Sequence, residues 1–163
     1  MESLQLWADA LLVAAIGGWL GIGALENIRV PAINRPLVDD VLAMQTMRQE
    51  MPEVYGLVGS HRVASPRLRT LAFAAIVIVE TISALLLVAG AFALAGAALG
   101  LWAAEGPRIV SILGTLGFIL VWSGFLVGGQ WVHYWATHQA AQHTHFMLAI
   151  WGVVTLLVLL QGG

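Results

Sequence analysis

Four histidines lie close together near the C-terminal end of the chain, at His133, His138, His143 and His145. Imidazole is a common ligand of metals and haem, but a site would need side chains that converge from different elements. His133 and His145 are the pair expected at one depth on neighbouring helices. On one continuous helix, the steps of 5, 5 and 2 residues would turn about 140°, 140° and 200°, so the four would not share a face. A haem or other pigment, a metal, a pH sensor and water-facing histidines in an aromatic belt all stay open.

Glu80 is the second candidate for chemistry, because it is the single charged residue of the apolar stretch 70–104. An ionisable side chain in such a stretch is costly and is therefore a functional candidate. Its structural interpretation is a neutral carboxyl that donates a hydrogen bond to a neighbouring helix. Its functional interpretations are a proton relay, ligand binding and contact with a partner subunit. No second acid or arginine is expected beside it, which disfavours a self-contained ion pathway.

Motifs for catalysis are not found in the sequence. There is no phosphate-binding glycine loop after a strand, no nucleophile elbow, no HExxH and no carboxylate pair in the apolar stretches. The chain has no cysteine, which excludes disulfides and thiolate metal sites. Its net charge of −2 without any lysine disfavours a nucleic-acid partner. We therefore predict that the protein is not an enzyme, and we expect no cofactor unless the histidines hold haem or pigment.

The composition determines which elements must position these residues. The 163 residues are 60% hydrophobic and 10% charged, with a mean hydropathy of +0.87, whereas soluble domains carry about 25% charged residues. No Asp, Glu, Lys or Arg follows Arg108, which leaves 55 residues without a formal charge. A stretch of this kind cannot be the surface of a soluble domain, so the sequence predicts an integral membrane protein.

Four stretches are long enough for a membrane-spanning helix, which needs about 20 apolar residues. They cover residues 4–25, 70–100, 109–134 and 143–160. The fold class is therefore all-α, a single domain (1–163) built as a four-transmembrane-helix bundle. The stretch 70–104 would be about 52 Å of helix, so it must tilt, protrude or break near its glycine-rich segment 89–100. Asp9 lies one to two turns into the first span, where we expect its carboxylate to reach the headgroups.

The first loop, residues 27–69, is predicted to form a cap. Its apolar residues recur at helical spacing, which indicates one short amphipathic helix that packs on protein more readily than on anionic lipid. These residues are Leu37, Val41, Met44, Met47 and Met51. Six of the seven arginines lie in this loop, so the positive-inside rule places it in the cytoplasm. Four acids in the same loop, with Glu26 directly before it, leave open a folded cap with locally paired arginines, so the membrane orientation stays open as well.

Small residues and tryptophans complete the pattern. Glycines four residues apart favour close helix packing, either within the bundle or against a partner; they are Gly17 and Gly21, Gly96 and Gly100, and Gly124 and Gly128. Tryptophans near the predicted span ends are typical of an interfacial belt; they are Trp7, Trp102, Trp131 and Trp135.

Several short motifs, in their order along the chain, resemble one bacterial family. They are Asn27-Ile28, Asn34, Val38, Val41-Leu42, Met44, Arg62, Ser65-Pro66, Glu80, Gly90-Ala91, Gly128-Gly129-x-Trp131 and Trp135. The sequence is similar to the predicted small integral membrane proteins of unknown function, although it has Gln130 where the family motif usually has Glu. The resemblance implies four transmembrane helices and no activity.

Taken together, these patterns favour a non-catalytic accessory subunit of a bacterial inner-membrane complex, respiratory or photosynthetic. Its partners would be other membrane subunits and lipids, contacted through faces rich in Gly and Ala. A membrane carrier with histidine-ligated haem or pigment is one alternative. A small transporter or proton-coupled sensor that uses Glu80 is another.

Overall fold

The computed structural model describes residues 1–162, which form helices and turns without any strand. The helices are α1 (Glu2–Arg29), α2 (Arg35–Ala43), α3 (Gln45–Glu50), α4 (Pro52–Val58), α5 (Pro66–Ala98), α6 (Glu105–Trp131) and α7 (Gln139–Gln161), with short 3₁₀ turns at Gly59–His61 and Tyr134–Ala136. The helices α1, α5, α6 and α7 are long and apolar enough to cross a membrane. This confirms the all-α fold with four transmembrane helices.

The four long helices pack in chain order, α1 on α5, α5 on α6 and α6 on α7, while α7 touches α1 more lightly. Neighbours run antiparallel: short connections join α5 to α6 and α6 to α7, and α1 contacts α5 from Asn27 at Glu80 to Ser3 at Ala98. We call the end where α1 and α6 finish the cap end, because residues 30–65 cover it. The opposite end, where Ser3 Oγ donates to the carbonyl of Ala98 at 3.1 Å, is the far end.

Three helices approach one another closely around Leu87 of α5, which is completely buried. A Cβ built at Gly17 of α1 would lie 2.9 Å from the Leu87 Cβ, and one built at Gly114 of α6 would lie 2.9 Å from the Leu87 backbone nitrogen. Only glycine leaves room for these two contacts. Small residues therefore fix where the three helices cross, as expected when packing rather than hydrophobicity drives association in lipid.

Helix α5 is a single unbroken helix of 33 residues. Ser65 caps its start by accepting a hydrogen bond from the Leu68 N–H, and Pro66 occupies the first helical position, where its missing N–H does no harm. The helix ends in a Schellman motif, in which Gly100 is left-handed (φ +77°) and the Leu101 N–H donates to the Gly96 carbonyl at 3.0 Å. The glycine-rich segment thus ends the helix without breaking it, and α5 protrudes beyond α1 at the cap end.

The predicted amphipathic helix of the cap is present as α2, but it is shorter than the apolar spacing predicts, and two further short helices follow it. Met44 takes a left-handed conformation (φ 55°) that separates α2 from α3, and α4 follows as a third short helix. The Asp40 carboxylate stabilises the break, because it accepts hydrogen bonds from the Thr46 N–H at 3.0 Å and the Thr46 hydroxyl at 2.6 Å. Leu37, predicted on the apolar face, is 57% exposed.

The cap packs on protein at two places. Met44 and Met47 are buried with Val132 and Tyr134, which belong to the connection between α6 and α7. Arg69 of α5 pairs with Asp39 of α2 at 2.6 Å, so at least this arginine is locally paired. These contacts hold the cap over the ends of α1 and α6.

Candidate functional site

A chain of three polar side chains begins inside the bundle and ends in the cap. The Asn27 amide of α1 donates to the Glu80 carboxyl at 2.8 Å, and the Asn34 amide donates to the Asn27 side-chain oxygen at 2.8 Å. Glu80 and Asn27 are both buried. Asn34 lies directly before α2. The chain therefore links the single acid of α5 to the covering segment through the last turn of α1.

The same contacts determine the depth of Glu80. It lies 14 residues into α5, yet it faces the last turn of α1, because α5 starts well beyond the end of that helix. One turn deeper, Gly21 of α1 faces Ala84 of α5. Glu80 therefore lies near the cap end of the bundle, directly beneath the cap. Its amide partners carry no titratable proton, so they orient the carboxyl rather than pass a proton along.

The four predicted histidines do not converge on one point. His138 faces the cap, where its Nε2 lies 3.1 Å from the Asp40 Oδ2, and its Nδ1 lies 2.9 Å from the Thr137 hydroxyl. His143 is exposed on the first turns of α7. Within residues 1–162, no group of three or more His, Cys, Asp or Glu side chains is arranged to hold a metal ion.

His133 instead faces His61, a residue for which the sequence shows no specific neighbour. The His133 Nε2 lies 3.3 Å from the His61 Nδ1, and the same Nδ1 lies 3.0 Å from the Trp131 carbonyl oxygen. The His61 ring also stacks on the Trp131 indole at a centroid distance of 4.5 Å. Because 72 residues separate the two histidines, no local spacing could have revealed this pair.

His145 lies in an aromatic cluster between α6 and α7. Its ring stacks on Phe125 at 4.7 Å and on Trp122 at 5.5 Å. The Tyr134 hydroxyl lies 3.4 Å from its Nδ1, and burial raises the pKa of Tyr134 above its ordinary value of 10. His133 and His145 thus have different surroundings, and a haem or pigment shared by these histidines stays a prediction.

The structure contains an ion pair at the far end that the sequence analysis does not predict. Asp9 is fully buried, so the expectation that it reaches the headgroups is wrong. Its Oδ1 accepts a hydrogen bond from the Gln5 amide at 2.9 Å, and its Oδ2 lies 3.8 Å from the Arg108 Nε. A usable signal was present, because Asp9 falls on the same face of α1 as the buried Leu6 and Val13.

The predicted glycine pairs have different roles. Gly17 and Gly21 face α5, as the packing motif predicts. Gly96 receives the ring of Trp102 and Gly100 forms the turn after α5. Outside the backbone of α6 itself, no atom in the described part of the chain lies within 4 Å of a Cβ built at Gly124 or Gly128. This last pair is therefore open on the outside of the bundle.

The four tryptophans predicted at span ends form two groups. Trp7 and Trp102 lie at the far end, whereas Trp131 and Trp135 lie at the cap end. All four are between 39% and 62% exposed. Two of them also have protein contacts, since the Trp102 Nε1 donates to the Ala93 carbonyl at 2.8 Å and Trp131 stacks on His61.

A comparison with protein families agrees with this architecture. The family model described as predicted small integral membrane protein (DUF2165) matches residues 5–162, which is nearly the whole chain. No curated protein and no solved structure matches the chain.

Proposed function

The chain belongs to the family of predicted small integral membrane proteins, and from that premise we propose that it is a non-catalytic accessory subunit of a bacterial inner-membrane complex, respiratory or photosynthetic. The observation that carries this proposal is the outward face of α6 around Gly124 and Gly128. That face has the features of a helix-packing surface and no partner among residues 1–162.

The α6 face combines small and large side chains in the arrangement that membrane helices use to associate. Leu120 and Val127, on the same side of the helix, are 63% and 75% exposed. Gly124 and Gly128 lie one turn apart and have no side chain, so they leave a shallow notch beside these two residues, into which a neighbouring helix can bring its backbone. Since Gly17 and Gly21 use the same spacing for contact within the bundle, the open pair supports contact with a helix of another subunit.

The cap supplies a second surface that supports a partner. Helix α4 lies outside the four candidate spans, yet its Leu57 is 83% exposed and its Val54 is 37% exposed. Apolar side chains in this position gain free energy when another protein or the membrane interface covers them. A partner that binds the α6 face and reaches the cap would cover both surfaces.

The test is extraction of the native complex and replacement of the open glycines. The wild-type chain, extracted in a mild detergent, should co-purify in fixed stoichiometry with another integral membrane protein. The double variant Gly124→Leu and Gly128→Leu should lose that protein while the chain remains folded, because leucine side chains fill the notch. Mass spectrometry identifies the partner, and size measurement gives the stoichiometry.

The matched control places the same substitution on α1. Gly18 and Gly23 also have no atom of the described chain near a built Cβ, so Gly18→Leu with Gly23→Leu should leave the complex intact. A wild-type chain that runs as a lone 17.4 kDa monomer, or only with copies of itself, would contradict the proposal. Equal loss in both double variants would contradict the assignment to α6.

The hydrogen bonds that connect Glu80, Asn27 and Asn34 favour a second candidate function, a proton-coupled sensor. Glu80 is buried beside α1 and connects to the cap through Asn27 and Asn34, so a change in its protonation would alter the bond that joins bundle and cap. Glu80→Gln should abolish a pH-dependent response while it leaves the bundle assembled. Unchanged pH dependence in the variant would eliminate this candidate.

A further inference from the structure

Two imidazole nitrogens face each other at the cap end, at a distance that fits a shared metal ion. We propose that His61 and His133 bind a divalent transition metal of the kind that prefers imidazole, with Zn²⁺ as the test case. The His61 Nδ1 and His133 Nε2 are 3.3 Å apart. Tetrahedral ligands that each lie 2.0–2.1 Å from zinc are separated by about 3.3–3.4 Å, so the observed distance between the two nitrogens fits two ligands of one ion.

The distance also decides which ligand positions the pair would occupy. Ligands on opposite sides of an ion with the same bond length would be about 4.1 Å apart, which is longer than the observed separation. The pair therefore fits two adjacent positions on one ion rather than the opposite axial positions of a haem. This distinguishes the site from a histidine-ligated haem.

A third donor lies beside the His61 nitrogen. The Trp131 carbonyl oxygen is 3.0 Å from the His61 Nδ1, which is close to the separation of adjacent ligands on one ion. Two nitrogens and this oxygen leave a fourth position for water, as in zinc sites with an open position. His138 and Asp40 bind each other elsewhere in the cap.

The protein holds both imidazoles in place. His133 lies two residues after the end of α6 and takes a left-handed conformation (φ 52°), which is uncommon for a residue with a Cβ. That conformation turns the chain after α6. The His61 ring is fixed from the other side by its stacking on Trp131. Rigid ligands of this kind reduce the entropy lost when an ion binds.

A proton and a metal ion would compete for the same nitrogens. Without metal, one imidazole N–H can donate to the other nitrogen across the 3.3 Å gap. With metal, both facing nitrogens must be unprotonated, so that proton would move to the other nitrogen of its own ring.

The experiment is a zinc titration of the isolated full chain in detergent, after removal of metal with a chelator. Calorimetry should show one saturable site per chain. His61→Ala should weaken zinc binding by at least about tenfold, since loss of even an outer-shell partner of a metal ligand costs 10–100-fold. His133→Asn should have a similar effect and should keep the fold, because asparagine tolerates the left-handed conformation.

The matched control is His143→Ala, which removes an exposed histidine and should leave the affinity unchanged. Nitrogen-15 spectra of the imidazoles should show zinc-dependent shifts at His61 and His133 only. Absence of saturable binding, or full affinity in His61→Ala, would overturn the proposal, and so would loss of binding in His143→Ala. The isolated chain needs no partner for this test, so its result is independent of the accessory-subunit proposal.

Discussion

The two ends of the bundle stabilise their polar groups in different ways. At the cap end, Glu80 and Asn27 lie in a hydrogen-bonded chain that a folded segment covers. At the far end, Asp9 and Arg108 form a buried ion pair with a 3.8 Å separation. The Asp9 Oδ2 and the Arg108 Nε have no hydrogen-bond partner in the structure.

This difference indicates which end of the bundle loses more stability when a single residue is replaced. Loss of one partner in a hydrogen-bonded chain costs the desolvation of the group left behind, about 1–3 kcal/mol. Loss of one partner in a buried ion pair leaves an uncompensated charge, which costs about 3–5 kcal/mol. The far end should therefore respond more strongly to a single substitution.

The largest effect is expected from Asp9→Asn, which keeps the shape of the side chain and removes its charge. Arg108 is only 15% exposed, so its guanidinium would lose, in a largely apolar environment, the one carboxylate with which it pairs among residues 1–162. The free energy of unfolding should fall by about 3 kcal/mol. Unfolding by a denaturing detergent in mixed micelles, followed by circular dichroism, measures this change.

The double variant Asp9→Asn with Arg108→Met separates the charge from other causes. Removal of both charges should restore most of the lost stability, since an apolar pair of similar volume is often as stable as a buried ion pair. If the double variant is as unstable as the single one, the ion pair is not the reason for the sensitivity of the far end.

An intermediate effect is expected from Glu80→Leu at the cap end. The substitution leaves the buried Asn27 amide without its acceptor, and it should lower the free energy of unfolding by about 1–3 kcal/mol. Glu80→Gln keeps an oxygen that can accept the same hydrogen bond, so it should cost less than Glu80→Leu in the same assay. If Glu80→Leu costs more than Asp9→Asn, the contrast between the two ends is reversed.

The smallest effect is expected from the ionisation of Tyr134, which lies in the connection at the cap end. This ionisation does not change the stability at neutral pH. Burial raises its pKa above the ordinary value of 10, so the unfolded chain ionises first as pH rises. The contribution of Tyr134 to stability should be constant well below pH 10 and should then fall by at most about 1.4 kcal/mol per pH unit. The decline should vanish in Tyr134→Phe.

Ultraviolet titration in a Tyr55→Phe background isolates Tyr134, because the chain has two tyrosines. Tyrosinate absorbance should appear only above pH 10. A midpoint at or below the ordinary pKa would show that the hydroxyl is open to water and that the cap does not cover it.

Hydropathy alone predicts the four spans, because a helix is the element that satisfies its own backbone hydrogen bonds in lipid. The spacing of Gly17 and Gly21 predicts the close helix contact at Gly17, because small residues four apart allow helices to approach. The division of the cap could not be predicted. The apolar spacing of Val41, Met44 and Met47 fits one continuous helix. The break after Ala43 is favoured by the hydrogen bonds that Thr46 donates to the Asp40 carboxylate.

The sequence by itself determined that this protein crosses a membrane four times, because length and hydropathy are local properties of the chain. Only the tertiary structure decided the partners of its polar residues. Glu80 meets Asn27 across 53 residues and His133 meets His61 across 72. Such pairs depend on how far α5 extends beyond α1 and on where the cap folds back, and the long-range packing of helices determines both.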